Sequence, residues 1–245
     1  MSVTSRRKES QDNDPCVPLK NGNQSLEKQK AALLSNHQHF SMVRNFYPAD
    51  FLTLMNGACG VASVFSCLKY LADPSKGLKE LWLAFLFIPF GCFFDVLDGR
   101  VARWRNESSV LGQELDSLAD LVSFGVAPAC IGYVVGLRSF LDQVALIYFV
   151  ACGIARLARY NATVALLPKD AKGKVEYFEG TPIPTSLGVL AVLAYFLYSA
   201  PSFTSFSESL SVGFSGTFFE FHYLVLLYVM SGSCMISRSL RIPKL

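Results

Sequence analysis

Residues 95–120 read DVLDGRVARWRNESSVLGQELDSLAD and join two long apolar runs. The stretch holds two pairs of aspartates, Asp95 with Asp98 and Asp116 with Asp120. Since residues three or four apart share one face of a helix, each pair presents two carboxylates together. One carboxylate at membrane depth costs about 2.5–3.5 kcal/mol, so four of them require neutralisation. Oxygen-only ligation suits Mg²⁺ or Mn²⁺, and the stretch therefore predicts a metal site with two ions.

The polar segment between the two pairs, from Arg103 to Gln113, can reverse the chain so that the pairs face each other. Gly99 and Ala102 lie beside the first pair, and their small side chains let a phosphate or a nucleotide approach the helix backbone. Gly112 keeps the entry to the second helix open in the same way. Arg103 can bind phosphate through its planar guanidinium group. These residues predict a nucleotide site beside the metal site.

The chemistry that this arrangement predicts is phosphoryl transfer. Two divalent ions held by facing carboxylates neutralise a pyrophosphate and stabilise charge on the attacking and leaving oxygens. One carboxylate, that of Asp120, can also take the proton of an attacking hydroxyl. The alternative is a helical hairpin in which the aspartates pair with Arg100, Arg103 and Arg105. Four acids, two small residues and an arginine at these offsets favour the metal site.

The composition of the chain is that of a membrane protein. Of its 245 residues, 51% are hydrophobic and 17% are charged, and the mean hydropathy is +0.34. Soluble domains have about 25% charged residues. A net charge of +3 without a basic stripe excludes a nucleic-acid-binding protein. The seven cysteines show no metal-binding spacing, and most fall in apolar runs as small buried side chains do.

Six apolar runs are each long enough to cross a bilayer core, which takes about 20 residues. They cover about 50–71, 78–102, 113–136, 140–163, 182–200 and 218–237. The sequence therefore predicts an all-α polytopic membrane protein in which residues 45–245 form a six-helix catalytic domain. Residues 1–44 are a polar, partly disordered tail. Its weak helical pattern from Leu26 fits either an amphipathic segment on the membrane surface or a flexible leader.

Lysine and arginine determine the predicted orientation of these spans. With the N-terminus inside, the outer loops hold only Lys76, Lys79 and Arg138, whereas the inside segments hold 18 lysines and arginines. Both termini and the aspartate stretch are thus expected on the cytosolic side. No signal-peptide pattern precedes the first span. We expect the endoplasmic reticulum membrane, with a bacterial inner membrane as the alternative.

The full pattern of residues 95–120 resembles the signature of the CDP-alcohol phosphotransferases, and every fixed position of that signature is filled. The resemblance implies that the four aspartates bind two metal ions and that Asp120 also serves as the base. It assigns Gly99, Ala102, Arg103 and Gly112 to the CDP moiety. It also implies a six-helix membrane fold and a homo-oligomer, a dimer or larger. An acceptor hydroxyl would attack the lipid-side phosphorus, and CMP would leave.

Three further stretches resemble the phosphatidylserine synthase branch of that family. They are FLTLMNG at 51–57, RLARYN at 156–161 and EGTPIPT at 179–185. The branch implies CDP-diacylglycerol and L-serine as substrates. A sister phosphatidyltransferase acting on inositol or glycerol 3-phosphate is the nearest alternative. A membrane transporter is the alternative from another class, but the acids cluster at one membrane face and the sequence shows no inverted repeat.

Residues outside the acid stretch are candidates for the acceptor and the nucleotide. Arg156 and Arg159 share a helix face and either capture the serine carboxylate or snorkel to the interface and set topology. Asn161 either bonds serine or caps its helix. Thr53 and Asn56 are candidates for contact with the nucleotide. For Asn56, a hydrogen bond to a neighbouring helix is the alternative.

A last candidate, Glu179, precedes the fifth apolar run. Its carboxylate either meets the serine ammonium group or pairs with Lys174. The two prolines that follow, Pro182 and Pro184, are typical of a helix start.

Overall fold

The computed structural model describes residues 47–74, 78–105, 110–166, 177–179, 181–199, 212–213, 221–237 and 241–243. The predicted tail at 1–44, with its helical pattern from Leu26, lies outside the described residues. The helices are α1 Pro48–Ala72, α2 Lys79–Arg105, α3 Val110–Asp120, α4 Ala127–Val135, α5 Phe140–Leu166, α6 Ser186–Ser199 and α7 Val225–Ile236. A π turn at Leu121–Val126 joins α3 to α4, and a 3-10 turn at Ile183–Thr185 precedes α6.

Two short antiparallel pairs complete the described structure. Strand β1, Tyr177–Glu179, pairs with β4, Arg241–Pro243. Strand β2, Val212–Gly213, pairs with β3, Phe221–His222. Together these strands involve few residues, so the described chain is essentially helical, as predicted.

Four helical segments are long and apolar enough to cross a membrane: Pro48–Ala72, Lys79–Arg105, Leu111–Val135 and Phe140–Ala162. Two shorter apolar helices follow, at Ile183–Ser199 and Val225–Ile236. At about 1.5 Å per residue, the 12 residues of α7 cover roughly 18 Å, less than the roughly 30 Å of a bilayer core. The all-α class with several spans agrees with the prediction, and the count of six stays a prediction.

Helix α1 shows an inverted distribution of polar and apolar side chains. Its buried face carries polar side chains such as Thr53, Asn56 and Ser63. Its exposed face carries large apolar ones, including Phe51 and Phe65, each more than half exposed. A soluble helix would bury its apolar face. This arrangement therefore indicates that lipid contacts the apolar face of α1 and that neighbouring helices cover its polar face.

The helix ends follow ordinary capping rules. Pro48 begins α1, and the Asp50 carboxylate accepts the Tyr47 N–H at 2.8 Å. Helix α4 ends at Gly136, whose φ of 142° disfavours any residue with a Cβ. Ser139 and Asp142 form a reciprocal cap at the start of α5, with N–H to side-chain oxygen distances of 3.2 and 3.4 Å.

The third apolar segment is interrupted by the π turn that follows Asp120 immediately. The Ala127 N–H reaches back five residues to the Val122 carbonyl, and Pro128, which has no N–H, comes next. A Cβ on Gly60 would lie 2.7 Å from the Ser123 hydroxyl oxygen. The glycine therefore lets α1 approach the π turn closely.

The apolar core lies between α2, α4, α5, α6 and α7, and Tyr228 of α7 is its largest fully buried side chain. The Tyr228 ring meets Phe149 edge-on at 5.3 Å between centroids, and its hydroxyl donates to the Pro128 carbonyl at 2.9 Å. A Cβ on Gly132 would lie 2.8 Å from that hydroxyl oxygen. These contacts join α4, α5 and α7.

Candidate active site

The C-terminal halves of α2 and α3 bring the predicted metal ligands together. One carboxylate oxygen from each of Asp95, Asp98 and Asp116 lies within 4.8 Å of the others. Asp98 is buried, and Asp95 and Asp116 are half-buried. The helical hairpin predicted from the sequence thus juxtaposes the two acidic pairs.

The fourth aspartate, Asp120, is the last residue of α3. Its carboxyl group contacts that of Asp95 across the hairpin. The Asn56 amide of α1 donates from Nδ2 to Asp120 Oδ1 at 3.1 Å. Two carboxylates in contact repel each other unless they share a proton or a cation lies between them.

Thr53 of α1 holds a second member of the cluster. Its hydroxyl lies 2.6 Å from Asp98 Oδ2, and the Ala49 carbonyl at 3.2 Å is the alternative acceptor for the same proton. Thr53 and Asn56 are three residues apart and so lie on one face of α1. That face supports one acid of each pair, Asp98 and Asp120.

A polar cavity of about 360 Å³ opens beside the acids. It contains three of the four residues predicted for the CDP moiety, Gly99, Ala102 and Gly112, together with Thr53. The remaining lining residues are Ala49, Asp50, Asp98, Gln113, Asp116 and Tyr160. Cavities of this size hold small-molecule ligands, and the small side chains leave the backbone open to one.

Arg103, predicted to contact phosphate, and Asn56, predicted either to contact the nucleotide or to bond a neighbouring helix, lie outside this lining. The Arg103 side chain is exposed and donates from Nε to the Gly99 carbonyl at 2.8 Å. Because Gly99 lines the cavity, this hydrogen bond keeps Arg103 beside it. Asn56 is fully buried, and its amide donates to Asp120.

The acid cluster fits divalent cations. Its donors are all carboxylate oxygens, which are the ligands of Mg²⁺ and Mn²⁺. Asp116 Oδ1 is buried and has no hydrogen-bond partner among the described residues. An unpaired buried carboxylate oxygen facing other carboxylates is expected where a cation binds. Asp95, Asp98 and Asp116 could hold one ion, with Asp120 available to a second beside Asp95.

The acceptor candidates on α5 occupy different positions. Arg156 is half-buried, close enough to Asp120 for electrostatic attraction, and its Nε has no partner in the described part of the chain. Arg159 reaches the Ile236 carbonyl of α7 from Nη2 at 3.4 Å. The two arginines thus lie on one side of α5, between the acids and α7.

Asn161 does not cap its helix, because α5 continues to Leu166. Both ends of its amide are engaged by α3. The Ser117 hydroxyl lies 3.2 Å from Asn161 Oδ1, and Asn161 Nδ2 donates to Glu114 Oε2 at 3.1 Å. Asn161 therefore connects the arginine-bearing end of α5 to the helix that carries Asp116.

Two other predictions concern the segment before α6. Glu179 lies in β1, where its backbone pairs opposite Arg241, and Lys174 is outside the described residues. The 3-10 turn begins after Pro182, whose carbonyl accepts the Thr185 hydroxyl at 2.8 Å. The prolines thus stand at a helix start, as predicted.

Sequence reasoning missed four residues of the cavity wall: Ala49, Asp50, Gln113 and Tyr160. Asp50 precedes Thr53 by three residues, so the helical period of the buried face of α1 would have included it. Tyr160 follows Arg159 directly. Gln113 was used only as the end of the polar segment, and no motif marks it.

Comparison with known proteins agrees with this geometry. The family model for CDP-alcohol phosphatidyltransferase matches residues 46–228. The chain belongs to this family.

Three relatives of the chain carry the same name. A Saccharomyces cerevisiae protein named CDP-diacylglycerol–serine O-phosphatidyltransferase is 47% identical over 216 residues, 86% of this chain and 75% of that protein. A Bacillus subtilis protein of the same name is 35% identical over 63% of this chain and 78% of its own length. A Methanocaldococcus jannaschii protein of that name is 34% identical over 64% of this chain and 63% of its own length.

Proposed function

We propose that the protein transfers the phosphatidyl group of CDP-diacylglycerol to L-serine, giving phosphatidylserine and CMP. The observation that carries this proposal is the acid hairpin with a 360 Å³ cavity beside it, lined by small residues. The shared name of the relatives supports serine as the acceptor. The protein is then an enzyme of phospholipid biosynthesis.

The cavity would receive the CDP moiety. Gly99, Ala102 and Gly112 leave room for the nucleotide against the helix backbones, and Arg103 at its edge would contact phosphate. The four aspartates would hold two Mg²⁺ or Mn²⁺ ions. When bound, such ions neutralise the pyrophosphate and stabilise charge on the reacting oxygens.

The reaction needs a base and an orienting group for the acceptor. Asp120 takes the proton of the serine hydroxyl as its oxygen bonds to the lipid-side phosphorus. The bond from that phosphorus to the CMP oxygen breaks, and CMP leaves. Arg156 and Arg159 are the residues proposed to bind the serine carboxylate, because they lie three apart on α5 and Arg156 is close to Asp120. Asn161 is also proposed to bond serine, and Glu179 is proposed to meet the serine ammonium group.

The membrane places the site at a defined depth. We propose six spans, with both termini and the acid hairpin on the cytosolic side of the endoplasmic reticulum membrane. The lysine and arginine distribution of the sequence supports this orientation. Water-soluble serine and membrane-bound CDP-diacylglycerol can then meet at the interface. A homo-oligomer, a dimer or larger, is also proposed.

An acceptor competition tests the proposed function. Purified protein in detergent with Mn²⁺ and CDP-diacylglycerol is offered serine, inositol or glycerol 3-phosphate, and CMP release is measured. Serine alone should support release, and a chelator should stop it. Release with inositol or glycerol 3-phosphate but not serine would assign the protein to a sister enzyme. No CMP release with any acceptor would leave the transporter alternative in place.

A further inference from the structure

Asn56 lies at a polar junction between α1 and the end of α3. Its side chain is fully buried, and Nδ2 donates to Asp120 Oδ1 at 3.1 Å. It is absent from the lining of the 360 Å³ cavity, whereas Thr53, one turn earlier, is part of it. The Asn56 amide therefore faces an acid and not the space for a nucleotide.

The backbone of Asn56 is fixed to the same region. Its carbonyl accepts the Ser123 hydroxyl at 2.8 Å, and Ser123 lies in the π turn directly after Asp120. Gly60, one turn further along α1, has no Cβ and so lets the π turn approach this closely. Short π segments of this kind occur frequently at functional sites. One residue of α1 thus holds both the side chain of Asp120 and the turn that follows it.

The two ends of the Asn56 amide are used unequally. Oδ1 is buried without a donor among the described residues, and a Cβ on Gly91 would lie 2.9 Å from it. A buried amide kept only to join helices would have partners at both ends, because an unpaired buried acceptor is costly. The amide makes its one described side-chain hydrogen bond to Asp120.

We infer that Asn56 is a positioning residue for Asp120. Its N–H fixes one carboxylate oxygen, which leaves the other available to the metal ions and to the hydroxyl proton. Groups behind metal ligands orient them in this way, and their loss typically lowers metal affinity or activity by about 10–100-fold. This inference rests on the proposed function and replaces the nucleotide contact predicted for Asn56 from the sequence.

Kinetics of Asn56→Asp test the inference. The change keeps the shape of the side chain, removes the N–H donor and sets a carboxylate against Asp120. We expect kcat to fall about 10–100-fold, while KM for serine and for CDP-diacylglycerol each change less than about threefold. Asn56→Ala, which adds no charge, repeats the measurement if the first variant fails to fold.

Ser63→Ala is the matched control. Ser63 is fully buried on the same helix and donates to the Ala84 carbonyl of α2 at 2.9 Å, away from the acids. Its loss removes one buried interhelical hydrogen bond, and kcat should stay within about twofold of the wild type. An equal fall in kcat for both variants would mean that the loss comes from disturbed packing of α1 and not from the position of Asp120.

A thermal-melting cycle supplies a readout that does not depend on activity. Asn56→Asp, Asp120→Asn and the double variant are melted in one detergent without substrate. The double variant restores a donor and an acceptor in exchanged positions. Its melting temperature should lie about 2–4 °C above the value expected if the shifts of the two single variants were additive. The double variant should remain inactive.

Three further outcomes would overturn the inference: additive melting shifts, a kcat of Asn56→Asp within twofold of the wild type, or a CDP-diacylglycerol KM that rises more than kcat falls. The last would return Asn56 to the nucleotide. A wild-type protein that releases no CMP with serine would contradict the proposed function instead, and the melting cycle would still report the Asn56–Asp120 hydrogen bond.

Discussion

Buried aspartates occur at both ends of α5, and they are satisfied in opposite ways. At its start, Asp142 is fully buried and accepts hydrogen bonds from the N–H groups of Ser139 and His222, at 3.2 and 3.0 Å, and its Oδ2 lies 2.5 Å from the His222 ring nitrogen. At its far end, the acids beside Tyr160 face one another. The fold supplies partners for both oxygens of the first carboxylate, whereas the others form a cluster that could hold a cation.

Asp142 and Asp116 differ in the partners that the fold supplies for their oxygens. Asp142 joins the start of α5 to β3, and each of its oxygens has a partner supplied by the fold. Asp116 Oδ1 has none among the described residues. Burial alone therefore does not identify the site; the number of partners that the chain provides for each oxygen does.

The largest effect is expected from Asp120→Asn. The amide keeps the size of the side chain but cannot accept the hydroxyl proton, so kcat should fall about 10²–10⁴-fold. CMP release under saturating serine and CDP-diacylglycerol measures this, with a melting curve to show that the variant is folded. Wild-type turnover in this variant would remove Asp120 as the base.

A smaller effect is expected from Arg159→Ala, with Arg138→Ala as the matched variant before the start of α5. Loss of a charged hydrogen bond to the serine carboxylate should raise the serine KM about tenfold or more and leave the KM for CDP-diacylglycerol nearly unchanged. Arg138 bonds the Tyr133 and Val134 carbonyls, so its loss should leave the serine KM unchanged. Equal KM values for the wild type and Arg159→Ala would leave Arg159 only a role in topology.

The smallest catalytic effect is expected from Asp142→Asn. The change weakens the link to His222 and should lower the free energy of unfolding by about 1–3 kcal/mol, which is a few degrees in melting temperature. The kcat should stay within about twofold of the wild type. A large loss of turnover at an unchanged melting temperature would contradict the distinction between the two ends of α5.

Much of the site could be predicted because its chemistry is local in sequence. The spacing within residues 95–120 places each acidic pair on one helix face, and a short polar connection lets the two faces meet. The helical period also places Thr53 and Asn56 together. These relations depend only on helix geometry, which the apolar runs already indicated.

The remaining features depend on contacts between distant segments. No periodicity indicates that Asn56 reaches Asp120 while Thr53 reaches Asp98, since that depends on how α1 crosses the hairpin. The π turn after Asp120 was also not predicted, although Pro128 marks a disturbed helix. The link between Asp142 and His222 joins residues 80 apart, and no motif joins them in the sequence.

The defining step of the proposed reaction is the attack of the serine hydroxyl on the lipid-side phosphorus in a site built on the acid hairpin. Serine labelled with ¹⁸O in its hydroxyl tests this step, with both products analysed by mass spectrometry. We expect labelled phosphatidylserine and unlabelled CMP. Phosphatidic acid together with a labelled cytidylyl-serine product would place the attack on the other phosphorus and rule this step out.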